Sequence, residues 1–165
     1  MNNYYLIGMP GCGKSSVGRN TAAACGIGFV DLDSYIESSE KMSIQKMFES
    51  GEEYFRRAET RALAHVGEMT GVIVATGGGI VVKAENIRLM KQSGTVIFVD
   101  AEPEFILKKS TLEGRPLLAD KQRIFDLYKA RRPLYEKAAD ITFVNSASLN
   151  KLCDDIAFYV KNRKK

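Results

Sequence analysis

One eight-residue segment constrains the fold of this chain more than any other part of it. From Gly8 to Ser15 the sequence reads GMPGCGKS, which matches the pattern G-x-x-x-x-G-K-[ST] at every fixed position. An apolar run, 4–7, precedes the segment, and a helix-forming stretch, 14–25, follows it. Glycines in such a loop let backbone N–H groups converge on an anion, and the helix N-terminus adds a positive dipole. The segment therefore predicts a strand–loop–helix unit that binds the phosphates of a nucleotide.

The rest of the chain continues the alternation of strand and helix. Five short runs are apolar without polar alternation, which is typical of strands covered on both faces of a parallel sheet. These runs are 4–7, 29–31, 72–75, 96–99 and 141–144. Stretches with helical end signals are 14–25, 43–50, 52–69 and 149–162. We expect one α/β domain of three layers over residues 1–165, with a mobile loop at about 110–120, where the periodicity fails around Gly114 and Pro116.

Composition excludes several classes of function. No apolar run approaches the roughly 20 residues that span a bilayer, so we expect no membrane segment. The net charge of +4 equals the four cations within 161–165, which leaves a neutral body and predicts no nucleic-acid binding. Three cysteines without a CxxC pair and a single histidine, His65, argue against a disulfide scaffold and a zinc site. We expect a cytoplasmic protein, because the start lacks the pattern of a signal peptide, and a monomer, because no exposed apolar helix face stands out.

The phosphate-binding segment also predicts individual roles. Lys14 is expected to reach the β and γ phosphates, and the Ser15 hydroxyl to bind the Mg²⁺ ion that bridges them. The residues expected at the nucleotide are Gly11, Cys12, Gly13, Lys14, Ser15 and Ser16. The plainer interpretation of Cys12 is a small side chain that fills space in the loop. The plainer interpretation of Ser16 is a residue on the surface of the helix that follows.

Two acidic residues follow the second predicted strand. The second strand is predicted to end in Asp31-Leu32-Asp33, where a period of two places the Asp31 and Asp33 carboxylates on the same side, at the carboxyl edge of the sheet. Ligands bind at that edge in open α/β sheets. One carboxylate can then serve the Mg²⁺ shell, where we place Asp31, and the other can meet a substrate hydroxyl, orienting it or accepting its proton. The alternative for Asp33 is an N-cap of a helix that begins near Ser34.

Glycines and arginines complete the candidate set. Gly77, Gly78 and Gly79 follow the third strand and indicate either close backbone approach to a ligand or a plain turn. Arginines occur in three unusual segments, FRRAE at 55–59, RPLL at 115–118 and RRPLY at 131–135. Each arginine alone is compatible with a solvated side chain. As a group they suit bidentate binding of carboxylates and phosphates, with Arg115 in the mobile loop able to close over a γ-phosphoryl group.

Taken in order, these motifs resemble the shikimate kinase family over almost the whole chain. The resemblance implies a five-stranded parallel sheet of order 2-3-1-4-5, as in nucleoside-monophosphate-kinase-like folds, with a lid at about 110–120. It implies transfer of the ATP γ-phosphoryl group to the 3-hydroxyl of shikimate, with Mg²⁺ as cofactor, on the route to chorismate and the aromatic amino acids.

The resemblance also assigns substrate contacts. Shikimate would be held by Asp33, Arg56, Arg131 and the Gly78 backbone, with the binding region at about 32–61. Glu59 would steady Arg56, and Arg115 would close with the lid onto the phosphates. Lys14, Asp33 and Arg115 would then be the catalytic residues.

The sequence departs from the family near the adenine, where members tend to offer an arginine and this chain has Lys108 and Lys109. Two other functions stay open at this point. One is a small-molecule kinase that acts on gluconate or a nucleoside monophosphate, which would not require the full motif set. The other is a catalytically silent nucleotide-binding regulatory module. Such a module would be expected to lack Lys14, Asp31 or Arg115, and this chain has all three residues.

Overall fold

A computed structural model describes residues 2–112, 121–146 and 148–163. All five predicted strands are present and form one parallel sheet of order β2-β3-β1-β4-β5, which confirms the order that the resemblance implied. The strands are β1 Asn3–Ile7, β2 Gly28–Asp31, β3 Val72–Ala75, β4 Gly94–Asp100 and β5 Ile141–Val144.

Helices connect the strands and cover both faces of the sheet. Those found in the described residues are α1 Lys14–Cys25, α2 Leu32–Glu40, α3 Ile44–Glu49, α4 Glu52–Gly67, α5 Ala84–Ser93, α6 Pro103–Leu112, α7 Lys121–Ala138 and α8 Leu149–Asn162, with a short 3₁₀ helix at Ile80–Val82. The predicted helices at 14–25 and 149–162 have the expected bounds. Those at 43–50 and 52–69 are slightly shorter, and Ser43 caps α3 by accepting a hydrogen bond from the Lys46 N–H.

The phosphate-binding segment leaves the central strand of the sheet. Every residue of β1 is buried, because β3 and β4 flank the strand and helices cover its two faces. The apolar side chains of β1, β3 and β4 therefore form the core, and no polar alternation is needed along these strands. The loop between β1 and α1 therefore starts from a fully buried strand in the middle of the sheet.

The structure corrects one expectation about the second half of the chain and shows there the helices α6 and α7, which the sequence patterns did not predict. Ser110, predicted at the start of a loop, lies in α6, where its hydroxyl donates to the Ile106 carbonyl at 2.9 Å. The segment RRPLY at 131–135 is helical and lies in α7, with Pro133 inside the helix. Residues 113–120, with Arg115 and nearly all of the predicted lid, lie outside the described residues.

Within the described part of the chain, no helix is both long and apolar enough to cross a membrane.

Candidate active site

The loop between β1 and α1 has the backbone of a phosphate cradle. Gly11 and Gly13 have φ angles of 78° and 95°, in the left-handed region that a side chain disfavours. Lys14 is only 7% exposed, and its ammonium donates to the carbonyls of Gly8 and Met9, each at 2.8 Å. The loop thus holds the Lys14 side chain over its own backbone, where it is ready to meet an anion.

Two further residues hold this loop from beneath. The Cys12 side chain is fully buried, and its backbone N–H donates to the Met9 carbonyl at 3.2 Å. Asn145, buried just after β5, donates from Nδ2 to the Cys12 carbonyl at 2.9 Å. Cys12 therefore has the packing role that its plainer interpretation predicted, and Asn145 is a supporting residue that the sequence patterns did not indicate.

Ser15 and Asp31 lie together, as the predicted Mg²⁺ site requires. The Ser15 hydroxyl donates to Asp31 Oδ2 at 2.6 Å, and both side chains border open space at the carboxyl edge of the sheet. Mg²⁺ takes few protein ligands and completes its shell with phosphate and water oxygens, so one hydroxyl and one carboxylate fit this ion. No cluster of three or more His, Cys, Asp or Glu suited to a metal occurs in the ranges that the structure describes.

The expectation that Asp31 and Asp33 share a strand face is wrong. The strand β2 ends at Asp31, and Asp33 is in the first turn of α2. Asp31 is also the N-cap of α2, because its Oδ1 accepts a hydrogen bond from the Ser34 N–H at 3.2 Å, so Asp33 is not the cap. Asp33 nevertheless reaches the same edge and lines the cavity beside Lys14. Burial, reinforced by the charge of Asp31, raises the pKa of Asp33, while Lys14 opposes this rise.

Arg56 forms a buried ion pair with Glu59 one turn along α4. The distance from Arg56 Nη1 to Glu59 Oε2 is 2.9 Å, and the Glu59 side chain is almost fully buried. Burial raises the pKa of Glu59, and the hydrogen bond from Arg56 opposes this effect. Glu59 Oε1 has no hydrogen-bond partner among the described residues. The pairing expected from the resemblance is therefore present, and together with the contacts of Arg56 to Glu52 and to the Phe55 ring it orients the guanidinium.

The three consecutive glycines bring backbone close to side chains of the site. A Cβ on Gly77 would be 3.0 Å from Asp33 Oδ1, and one on Gly78 would be 2.6 Å from Pro10 Cδ. A Cβ on Gly79 would be 2.6 Å from Arg56 Nη1. Close approach is thus the physical reason for this run, although the groups approached are the protein's own side chains.

Helix α7 is tied to the same glycines. The buried Tyr135 hydroxyl donates to the Gly78 carbonyl at 2.5 Å, and burial raises the pKa of this phenol. Arg131 lies close enough to Tyr135 for its charge to lower that pKa in opposition. The adjacent Arg132 points elsewhere, because its Nη2 is 3.3 Å from Asp100 Oδ2.

Asp100, at the end of β4, holds a small cluster that the sequence patterns did not indicate. Its Oδ1 accepts a hydrogen bond from the Tyr128 hydroxyl at 3.0 Å, and burial together with this bond raises the pKa of Tyr128 to about 12. The Arg132 guanidinium also stacks over the Tyr128 ring, 5.8 Å from its centroid. Arg132 is therefore a structural partner of Asp100, which leaves Arg131 as the arginine of this pair that is available to a ligand.

A cavity of about 320 Å³ joins most of these residues. Its lining includes Gly11, Gly13, Lys14, Ser15, Ser16, Asp33 and Gly78 of the predicted set, and also Lys109 and Ser110 of α6. Arg56 and Arg131 do not line it. Lys108 is exposed and does not line the cavity either, so the two lysines expected near the adenine have different surroundings.

The sequence is similar to those of known enzymes over nearly its whole length. The family model described as shikimate kinase matches residues 10–160. A shikimate kinase of Clostridium botulinum (strain Alaska E43 / Type E3) is 39% identical over 162 residues, which are 98% of this chain and 98% of the relative.

Solved structures give the same family. A shikimate kinase from Acinetobacter baumannii in complex with shikimate is 34% identical, with a TM-score of 0.88, and the alignment covers 99% of this chain and 95% of that one. Shikimate kinase from Aquifex aeolicus, also 34% identical, has a TM-score of 0.84 over 98% of this chain and 97% of that one. In both comparisons the alignment covers at least 95% of each chain, so the similarity in sequence and in fold extends over nearly the whole length.

Proposed function

The chain belongs to the shikimate kinase family, and we propose that the residues at the carboxyl edge of its sheet transfer the γ-phosphoryl group of ATP to the 3-hydroxyl of shikimate. The observation that carries this proposal is the meeting of two sets of groups around the loop after β1. Lys14, Ser15 and Asp31 suit a nucleotide with its metal, and Asp33 stands beside Lys14 in the same cavity. Neither a gluconate or nucleoside-monophosphate kinase nor a silent regulatory module accounts as well for the full family match.

The donor half of the reaction uses the cradle. We propose that Gly11 and Gly13 admit the phosphates, with Cys12, Ser15 and Ser16 contributing to the nucleotide site, and that Lys14 turns from the Gly8 and Met9 carbonyls to the β and γ phosphates. Mg²⁺, when bound by Ser15 and Asp31, would neutralise charge on the phosphate oxygens. Arg115, which lies outside the described residues, is proposed on its motif to close over the transferred group.

The acceptor half of the reaction needs cationic groups at one end of shikimate and a proton acceptor at the other. Shikimate is a small anion with three hydroxyls, so its carboxylate needs cationic forks and its reacting alcohol needs an acceptor. We propose Arg56 and Arg131 for the carboxylate, the Gly78 backbone for a further contact, and Asp33 for the hydroxyl. The ion pair with Glu59 fixes one guanidinium before the ligand arrives, which lowers the entropy lost on binding.

Catalysis is then mainly positioning and charge stabilisation. Transfer in line through a loose transition state needs the hydroxyl held against the γ-phosphorus and the negative oxygens matched by Lys14 and Arg115. Because burial raises the pKa of Asp33, this carboxylate is a better proton acceptor than an exposed aspartate. It orients the hydroxyl first and takes its proton as the bond to phosphorus forms.

We further propose that the protein acts as a monomer in the cytoplasm, where ATP is supplied. Cys12 and Cys153 are buried and form no disulfide, which suits a reducing compartment. Small-molecule substrates are expected to be its ligands, with no role for nucleic acid or membrane.

The proposal is tested by coupled ADP release with MgATP and a panel of shikimate, quinate, gluconate and AMP. Turnover with shikimate alone is expected, and Lys14→Ala should abolish it while the thermal unfolding curve stays cooperative. Arg115→Ala should lower kcat more than it raises the shikimate KM. Turnover with a different acceptor would retain a kinase but refute the assignment of Arg56 and Arg131.

A further inference from the structure

Helix α6 lays one face over the phosphate loop. Ile106, Lys109 and Ser110 have the spacing of one helix face. Ile106 Cγ2 is 3.2 Å from the position that a Cβ on Gly11 would take, and Lys109 Nζ is 3.2 Å from the corresponding position on Gly13. The Lys109 ammonium therefore lies at the cradle itself.

Positive charge borders this ammonium on the side of the phosphate loop. Gly13 is the N-cap of α1, which has neither a side-chain cap nor an acidic residue in its first turn, so the positive end of the helix dipole is uncompensated. Lys14 adds a second positive charge to the same cavity. Lys109 forms no ion pair with any residue in the described ranges. A cation placed beside a helix N-terminus and another cation is stabilised by a bound polyanion between them.

We propose that Lys109 is a second ammonium ligand of the ATP phosphates, which binds the triphosphate from α6 while Lys14 binds it from the loop. This inference rests on the proposed function only in taking ATP as the phosphoryl donor. It assigns Lys109 to phosphate and not to adenine, and it separates Lys109 from the exposed Lys108.

The test uses inorganic tripolyphosphate, which has the phosphates of ATP and no base. In the full-length protein, Lys109→Ala is expected to weaken inhibition by tripolyphosphate and to raise the KM for ATP, each by about 10- to 100-fold, as for loss of a charge-assisted hydrogen bond. The KM for shikimate should stay unchanged. Lys109→Arg, which keeps the charge, should recover most of the affinity. Lys161→Ala removes an exposed lysine near the end of α8 and is the charge-matched control.

Two results would overturn the assignment. A higher KM for ATP with unchanged tripolyphosphate inhibition would place Lys109 at the adenine, and unchanged values for both ligands would remove it from the nucleotide site. Tripolyphosphate binding measured by calorimetry needs no acceptor. Absence of shikimate turnover would therefore refute the proposed function. The assignment of Lys109 would still be decided by the calorimetric titration with tripolyphosphate.

Discussion

Gly79→Ala tests whether backbone proximity positions the Arg56 guanidinium. Gly79 has φ −95° and ψ 6°, a conformation open to alanine, so the substitution brings little backbone strain. The added methyl would instead overlap the guanidinium, since its Cβ would stand 2.6 Å from Nη1 and 2.8 Å from Cζ. Arg56 must therefore move, and its 2.9 Å bond to Glu59 must lengthen or break.

The size of the effect follows from the bonds at risk. A hydrogen bond to a charged group contributes about 1.5–3 kcal/mol, so misplacing the fork that we propose for the shikimate carboxylate should raise the KM for shikimate by about 10- to 150-fold. The KM for ATP should not change, because the Gly79 backbone does not line the cavity that holds Lys14. Loss of the buried pair should also lower the free energy of unfolding by about 3 kcal/mol, since it leaves Glu59 without a partner.

Steady-state kinetics with each substrate varied in turn, and urea unfolding followed by circular dichroism, measure these quantities. Gly67→Ala is the matched control, because it adds the same methyl near the end of α4, where its nearest neighbour is the Ser93 hydroxyl. An unchanged shikimate KM in Gly79→Ala, or an equal rise for ATP and shikimate, would refute the argument from proximity.

Three other substitutions and one chemical treatment probe the site and its surroundings. Asp33→Asn should abolish turnover yet raise the Tm at pH 7, because the raised pKa of Asp33 means that its ionised form destabilises the folded state. The gain in Tm should shrink as the pH falls towards about 4, where the wild-type carboxyl becomes protonated. A gain in Tm that does not depend on pH would contradict this reasoning. Arg131→Ala should raise the KM for shikimate and leave ATP binding intact. Arg132→Ala should instead lower the free energy of unfolding by about 1 kcal/mol, through loss of its contact with Asp100, and change neither KM. An equal rise in the shikimate KM of both variants would contradict this division of roles. Alkylation of buried Cys12 by N-ethylmaleimide requires the loop to open, so MgATP should slow it, and equal rates with and without nucleotide would refute this.

Sequence patterns predicted the sheet well because its strands are buried on both faces. A short, continuous apolar run bounded by glycine is too short for a buried helix and is typical of a central strand, and β1, β3 and β4 are of this kind. Helix α7 shows the opposite case. Its buried residues include only Tyr135 and Ala138, and Pro133 interrupts its pattern, so neither its bounds nor its helical state followed from periodicity.

The candidate site was predictable where function depends on neighbours in sequence. The cradle and the Arg56–Glu59 pair lie within one loop or one helical turn. Asp33 was predicted to reach the carboxyl edge of the sheet from the end of β2. It reaches this edge from the first turn of α2 instead, because β2 ends at Asp31. The bonds from Tyr135 to Gly78 and from Arg132 to Asp100 join residues 57 and 32 positions apart, and local spacing carries no information about such contacts.

With the proposed roles, the central position of β1 divides the site: the acceptor residues lie on the β2–β3 flank, together with Asp31 of the proposed Mg²⁺ site, and α6 lies on the β4 flank. Asp33, Arg56 and the three glycines belong to segments that follow or connect β2 and β3, while α6 follows β4 on the other side. A change of acceptor is therefore confined to one flank of the central strand, and the cradle can be retained without alteration. Among the described residues, α7 is the element that crosses this boundary, because it follows α6 in the chain and bonds to Gly78 through Tyr135. Substitutions that alter acceptor choice should thus accumulate on the β2–β3 flank and in α7, and spare the flank of β4.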